Sequence, residues 1–276
     1  MSRVSVWKYA FTAAAVLGAG LPVSPAFAGA PASAHVVPPA HLGGLADFVD
    51  GVMAQQIATR EVAGAVVTVV HGKKVLFTRG YGLADVDAGV AVDAQQTLFR
   101  PGSVSKMFTW TALLQQVELG RVDLDADVNT YLDYRIPDFE GQPIRVRDLL
   151  SHAPGMSDVA GITAASLGAL EPYRAWMKTH IPQRLWPAGS EVSYSNYGAA
   201  LAGYIVESVS GEPFADYTER HLFRPLGMNA TTFREPLPVA LVPRMAKGYR
   251  LEDGRFIARP FELYSVIMPA GSATTS

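Results

Sequence analysis

The chain of 276 residues contains no cysteine, and this absence excludes several kinds of chemistry at once. Disulfide frameworks, thiolate zinc sites, cysteine nucleophiles and a lipidated N-terminal cysteine all require that residue. A large excess of charge is also missing, because 23 basic side chains stand against 25 acidic ones. The electrostatic footprint of a nucleic-acid binder is therefore absent, and the expected partner is a small molecule or a neutral polymer.

Several catalytic and cofactor motifs are missing as well. The sequence has no Gly-x-Ser-x-Gly, which disfavours an α/β-hydrolase triad, and it has no His-Glu-x-x-His, P-loop lysine motif or cluster of histidines. No metal, nucleotide or other cofactor is implied. Past the N-terminal region no uncharged apolar run approaches the length of a membrane span, so we expect no stable span in the mature chain.

Residues 1–28 have the pattern of a secretory signal peptide. A positively charged start is followed by the apolar stretch 10–21, by prolines and by an Ala-Phe-Ala cleavage site that ends at Ala28. We expect cleavage near Ala28 and a periplasmic or secreted product. Residues 29–42, rich in Ala, Pro and Ser, predict a flexible leader, and residues 43–276 predict the folded domain.

The hydrophobic periodicity predicts an α+β fold, in which an antiparallel sheet is flanked by helices and joined to a mostly helical region. Residues 43–59 predict an amphipathic helix, and the β-rich runs 62–70 and 75–81 predict a hairpin. The apolar positions of 103–119 cover most of a helix, which predicts burial on nearly all sides. Shorter helices are predicted at 145–150, 173–180, 197–210 and 213–223.

The strongest chemical signal is a serine that follows a Pro-Gly turn at the start of this central helix. Ser103 and Lys106 are three residues apart, so both project from one face and the lysine nitrogen can reach the hydroxyl. A partly desolvated lysine can exchange a proton with that hydroxyl. The helix N-terminus favours developing negative charge, and the Ser103 backbone N–H is a natural oxyanion donor.

Ser-x-x-Lys alone is weak evidence, because Ser5 and Lys8 in the predicted signal peptide have the same spacing without a preceding turn or a domain helix. A helix-capping serine beside a solvated lysine is the ordinary interpretation of the bare pattern. Ser105 is a competing nucleophile, but it faces another side of the helix from Lys106, so packing or a backbone hydrogen bond is its expected role.

A second element, Tyr194-x-Asn196, lies on a turn-rich loop that enters a helix. Tyrosine can accept a proton when a nearby cation lowers its pKa, and asparagine offers a donor and an acceptor to an amide substrate. An isolated Tyr-x-Asn is more often a packed aromatic residue beside a helix start. Its position downstream of Ser-x-x-Lys favours the catalytic interpretation.

The order of these segments resembles the serine β-lactamase and penicillin-binding protein family, which includes class C β-lactamases, D-alanyl-D-alanine carboxypeptidases and related esterases. The resemblance extends over most of the chain past about Leu42. The matching segments are 65–81, 99–106, 120–128 and 147–156.

The resemblance implies a β-lactamase/transpeptidase-like fold and a role for each candidate residue. Ser103 would attack a carbonyl, Lys106 and Tyr194 would share base and acid duties, and Asn196 would orient the substrate amide and the lysine. The family's third motif, Lys or His, then Ser or Thr, then Gly, does not follow Tyr194 in this sequence. We therefore expect a C-terminally incomplete chain whose C-terminal strands are missing.

Other candidates and functions stay open. His152 follows a serine in a loop and is interpreted as a hydrogen-bonding residue, and Glu191 as a surface carboxylate. Two function classes remain: a hydrolase that forms an acyl-enzyme on a β-lactam, a D-alanyl peptide or a small ester, and a catalytically silent module that binds a peptidoglycan-like or β-lactam ligand. The division of proton transfer between Lys106 and Tyr194 and the oligomeric state are not determined by the pattern.

Overall fold

The computed structural model describes residues 43–276 except Ala165. The predicted signal peptide and leader lie outside the described residues. Residues Leu45–Ser276 form one compact unit. Its helices are α1 (Leu45–Ala58), α2 (Lys106–Glu118), α3 (Val146–Leu150), α4 (Tyr173–Thr179), α5 (Asn196–Ser210), α6 (Phe214–Thr218) and α7 (Met268–Gly271), and its strands are β1 (Gly64–His71), β2 (Lys74–Asp85), β3 (Val90–Ala91), β4 (Gly248–Glu252) and β5 (Arg255–Arg259).

The strands form antiparallel sheets, as the α+β prediction requires. β1, β2 and β3 make a three-stranded sheet in that order, and β4 pairs with β5 in a separate hairpin. The predicted hairpin is confirmed: His71 pairs with Lys74 across a two-residue turn, in which Gly72 adopts a φ of +61°. Glycine reaches that left-handed conformation without steric cost.

The predicted N-terminal helix is present as α1, but much of its apolar surface is open. Met53 is buried, whereas Phe48 is 68% exposed and Val52 is 42% exposed. Polar contacts tie the helix to the sheet, because Asp50 accepts a hydrogen bond from the Tyr81 hydroxyl at 2.7 Å and pairs with Arg79.

The expectation that the central helix is buried on nearly all sides is wrong for α2. Its inner face carries Lys106 and Leu113, which pack towards α5, while Met107 and Leu114 on a neighbouring face are 53% and 45% exposed. Their seven-residue spacing places those exposed side chains on one line along the helix. The number of apolar residues in this segment therefore overstated how much of the helix circumference is buried.

The most deeply buried helix is α5 instead. Every residue from Tyr197 to Val206 is buried, and α2, α3, α4, α6 and α7 all pack around it. Small residues permit this close packing: a Cβ at Gly203 would lie 2.3 Å from the Pro269 ring of α7. The helix begins at Ser195, whose hydroxyl accepts from the Gly198 N–H, and ends before Gly211 with a φ of +73°. This core fixes the elements that carry the candidate site.

Candidate active site

The structure places Ser103 on an exposed turn at the N-terminal end of α2. Pro101 precedes the turn, Gly102 adopts a φ of +56°, and residues Gly102–Ser105 form one 3₁₀ turn that continues directly into the helix. A left-handed residue at this bend suits glycine. The serine hydroxyl is therefore held at a helix N-terminus while remaining accessible to a substrate.

Lys106 lies beneath Ser103 and is almost completely buried, with 2% of its surface exposed. Its Nζ donates to Ser103 Oγ at 3.1 Å, to Asn196 Oδ1 at 2.9 Å and to the Ala270 backbone carbonyl at 2.7 Å. An ammonium group has three donors, so these acceptors match its full hydrogen-bonding capacity. A buried cation requires such partners, because desolvation otherwise makes it costly.

Tyr194 approaches the serine from the other side. Its hydroxyl donates to Ser103 Oγ at 2.5 Å, and the Lys106 nitrogen lies 4.8 Å from the centre of its ring. The serine oxygen is thus within reach of two groups that can exchange a proton with it. Asn196, the first residue of α5, contacts the lysine through its side chain, while its backbone N–H reaches Asp158 Oδ1 at 3.4 Å.

The structure thus brings all four predicted site residues together: Lys106 and Tyr194 contact the Ser103 oxygen, and Asn196 contacts Lys106. Ser105 does not join them: it is fully buried, and its hydroxyl has no hydrogen-bond partner within the described part of the chain. Packing is the role that this position allows. Glu191 is exposed on the approach loop. The catalytic roles assigned to Ser103, Lys106 and Tyr194 stay predictions at this stage.

Sequence reasoning missed the backbone carbonyl of Ala270, which accepts from Lys106. α7 carries this carbonyl, and the neighbouring Pro269 carbonyl accepts from the Thr109 hydroxyl of α2 at 2.6 Å. A main-chain acceptor has no signature in residue types, so only the fold could reveal it. The close contact between Pro269 and Gly203 sets how near α7 comes to the site.

The segment before Ser103 is fixed by three further contacts that the sequence did not predict. Phe99 exchanges both backbone hydrogen bonds with Thr275, at 2.8 and 3.0 Å. Arg100 forms an ion pair with Glu235 at 2.6 Å, and its guanidinium lies 4.4 Å from the centre of the Phe261 ring. Because the Glu235 side chain is fully buried, this pair is well shielded from water. The turn that presents Ser103 is therefore anchored through the contacts of Phe99 and Arg100.

His152 lies beside Tyr194 and not beside Ser103. Its ring centre is 4.5 Å from that of Tyr194, and its Nδ1 accepts from the Ser195 backbone N–H at 3.2 Å. Burial lowers the pKa of His152, and the positive charge of Lys106 lowers it further, so the ring is neutral at pH 7. The interpretation of His152 as a hydrogen-bonding loop residue agrees with these contacts.

Among the described residues, no group of acidic, histidine or cysteine side chains has an arrangement that could hold a metal ion. The same residues include no helix whose length and apolar character would let it cross a membrane.

Comparison with known proteins gives the family. The Beta-lactamase family model matches residues 49–274, so the chain belongs to the Beta-lactamase family. Protein flp of Staphylococcus aureus (strain MW2) is 28% identical over 193 residues, which cover 68% of this chain and 38% of flp. The chain thus spans well under half of that relative's length.

Two solved structures are similar in fold. The octameric penicillin-binding protein homologue from Pyrococcus abyssi superposes with a TM-score of 0.72 and 26% identity, covering 84% of this chain and 53% of that one. EstCE1, described as a hydrolase with promiscuous acyltransferase activity, gives a TM-score of 0.70 and 23% identity over 86% of this chain and 70% of its own. The β-lactamase/penicillin-binding-protein fold class predicted from sequence is confirmed, and the family supports a serine hydrolase type of function in general terms.

Proposed function

We propose that the protein is a serine hydrolase that forms an acyl-enzyme through Ser103 on an amide or ester substrate. The observation that carries this proposal is the position of Ser103 Oγ, 3.1 Å from the Lys106 nitrogen and 2.5 Å from the Tyr194 hydroxyl. A serine hydroxyl is a weak nucleophile until a neighbouring group takes its proton. Two such groups converge here on an exposed serine.

In the proposed reaction Ser103 Oγ attacks the carbonyl carbon, and its proton passes to Tyr194 or Lys106. The tetrahedral intermediate then expels the amine or alcohol, which receives a proton from the same pair. Water attacks the resulting ester and releases the acid, which regenerates the serine. Asn196 would orient both the lysine and a substrate amide, because its side chain carries a donor as well as an acceptor.

Lys106 and Tyr194 differ in how they contact Ser103. The Lys106 nitrogen also donates to the Asn196 and Ala270 oxygens, which hold it in place. The Tyr194 hydroxyl lies closer to Ser103 Oγ, at 2.5 Å against 3.1 Å for the lysine nitrogen. We therefore assign Tyr194 as the first proton acceptor and Lys106 as the cation that supports it.

Turnover separates this proposal from a silent ligand-binding module. A small p-nitrophenyl ester and a chromogenic β-lactam are offered to the protein side by side, together with a fluorophosphonate probe that labels activated serines. We expect covalent labelling that depends on Ser103 and hydrolysis of at least one of the two substrates. Ligand binding without labelling or turnover would support the silent module instead.

Tyr194→Phe is expected to lower the labelling rate constant by about 10²–10⁴-fold, the usual contribution of a general base, with little change in thermal midpoint. The substitution removes one hydroxyl and keeps the ring. Labelling reactions with the fluorophosphonate probe, quenched at successive times, measure the rate constant, and a thermal melt measures the midpoint.

Tyr173→Phe is the matched control for that variant. Its hydroxyl donates to the Ala200 carbonyl at 2.5 Å in the core, away from Ser103. Its loss removes a buried hydrogen bond and is expected to destabilise the protein by about 0.5–1.5 kcal/mol with no loss of labelling. If Tyr194→Phe instead lowers stability and labelling together, Tyr194 is a packing residue and the assignment of the base fails.

We also propose that the protein is exported and that residues 1–28 are removed. The support is the charged, apolar and small-residue pattern of this segment. N-terminal sequencing of the product from the periplasm or medium of an expressing bacterium is expected to begin at Gly29. An intact Met1 on cell-associated protein would contradict the proposal.

A further inference from the structure

Residue 152 holds the backbone on both sides of Tyr194. The His152 carbonyl accepts from the Ser193 N–H at 2.7 Å, and the imidazole Nδ1 accepts from the Ser195 N–H at 3.2 Å. These two bonds bracket Tyr194, whose own ring lies against the imidazole at an angle of 32°. One residue thus contacts Ser193 through its main chain, Ser195 through its ring nitrogen and Tyr194 through its ring face.

The backbone at this position is specialised for that double contact. His152 has a φ of +54°, a left-handed conformation that side chains with a Cβ rarely adopt. Such strain persists only where surrounding interactions stabilise it. The Trp110 ring of α2 packs edge-on against the imidazole with centres 5.4 Å apart, so the nucleophile's own helix supports the arrangement.

The imidazole must be neutral to accept the Ser195 N–H. Burial and the charge of Lys106 lower the pKa of His152, whereas the Ser195 backbone contact and Asp158 act in the opposite direction without reversing the shift. A neutral ring that accepts at Nδ1 carries its proton on Nε2. Protonation would turn the acceptor into a donor that faces another donor.

We propose that His152 is a positioning residue that holds Tyr194 within hydrogen-bonding distance of Ser103. This inference rests on the proposed function, because it concerns the orientation of the proposed base. The side chain of His152 is directed at Tyr194 and Ser195, so the residue acts through the tyrosine and not on the substrate. Tyr194 itself is 46% exposed.

Two substitutions separate the ring contact with Tyr194 from the hydrogen bond that His152 accepts from Ser195. His152→Phe keeps an aromatic ring against Tyr194 but removes the acceptor for Ser195, and it is expected to slow fluorophosphonate labelling by about 10–100-fold, the cost of a misplaced catalytic group. His152→Asn tolerates the left-handed backbone and places an oxygen near the former Nδ1, so it is expected to stay within about threefold of the unmodified protein.

A double-mutant cycle with Tyr194→Phe tests the coupling. If His152 acts through Tyr194, His152→Phe adds less than about threefold to the loss already caused by Tyr194→Phe. A residue with a merely structural role would give multiplicative losses, and so would overturn the inference, as would equal losses in His152→Asn and His152→Phe. His152→Gln, whose amide extends past the Nδ1 position, replaces His152→Phe in the cycle if that variant does not fold.

The outcomes also separate this inference from the proposed function. Absence of Ser103-dependent labelling in the unmodified protein would overturn the proposed function, and the positioning role with it. Intact labelling with multiplicative losses in the cycle would overturn the positioning role alone.

Discussion

Ser103→Ala is expected to abolish covalent labelling by a fluorophosphonate or a fluorescent penicillin, whereas Ser105→Ala keeps most of it. Both serines lie in the same 3₁₀ turn, two residues apart, so the pair is a matched comparison of chemistry at one place in the fold. Only Ser103 contacts Lys106 and Tyr194. Without its oxygen no covalent bond to the probe can form.

The Ser105→Ala control also has an expected effect on stability. The Ser105 hydroxyl is buried and has no hydrogen-bond partner among the residues that the structure describes. Removing an unsatisfied buried hydroxyl relieves its desolvation cost, so the thermal midpoint of Ser105→Ala should stay level or rise. Gel fluorescence and thermal melts measure both variants. Equal loss of labelling in the two would leave the choice of Ser103 without support.

Lys106→Met is expected to lower the labelling rate constant by roughly 10³-fold or more while the protein remains folded. Methionine has a similar length and no charge, so packing beneath Ser103 is retained. The variant loses the cation beside Tyr194 and leaves the Asn196 and Ala270 oxygens without their donor. Each unpaired buried group costs about 1–3 kcal/mol, which the avoided burial of a charge partly offsets.

Lys178→Met is the control for this variant. Lys178 lies on α4, is partly exposed and pairs with Asp133 at 2.7 Å. Its substitution therefore removes one lysine without changing the candidate active site. Its labelling rate constant should match that of the unmodified protein. A Lys106→Met variant that folds and labels at nearly the original rate would show that Tyr194 alone activates the serine, and the proposed pair would be wrong.

Local signals explain the parts of the fold that were predictable. The hairpin of β1 and β2 and the ends of α5 depend on turn and capping residues close in sequence, such as Gly72, Ser195 and Gly211. Burial was harder to predict, because it depends on which elements pack together. α5 is rich in alanine and glycine, and five helices enclose it. α2 has the larger side chains and keeps one face exposed.

Prediction of the site divides in the same way, between local signals and contacts of residues far apart in sequence. The pairing of Ser103 with Lys106 follows from helical spacing alone. The approach of Tyr194 and Asn196 needed the family resemblance, because no local rule joins residues so far apart in sequence. The Ala270 carbonyl and the bracket that His152 forms around Tyr194 were inaccessible, since the first has no side-chain signature and the second depends on an unusual backbone conformation.

The central claim is that Ser103 is an activated nucleophile, and the site of a covalent adduct tests it most directly. The protein is incubated with a penicillin, digested with trypsin and examined by fragment-ion mass spectrometry. Ring opening adds the whole mass of the penicillin, and we expect that increment on the peptide that ends at Lys106, with fragment ions that place it on Ser103 and leave Ser105 unmodified. A fluorophosphonate adduct should map to the same oxygen if β-lactams are not substrates. An adduct on any other residue, or none with either reagent on folded protein, would contradict the account.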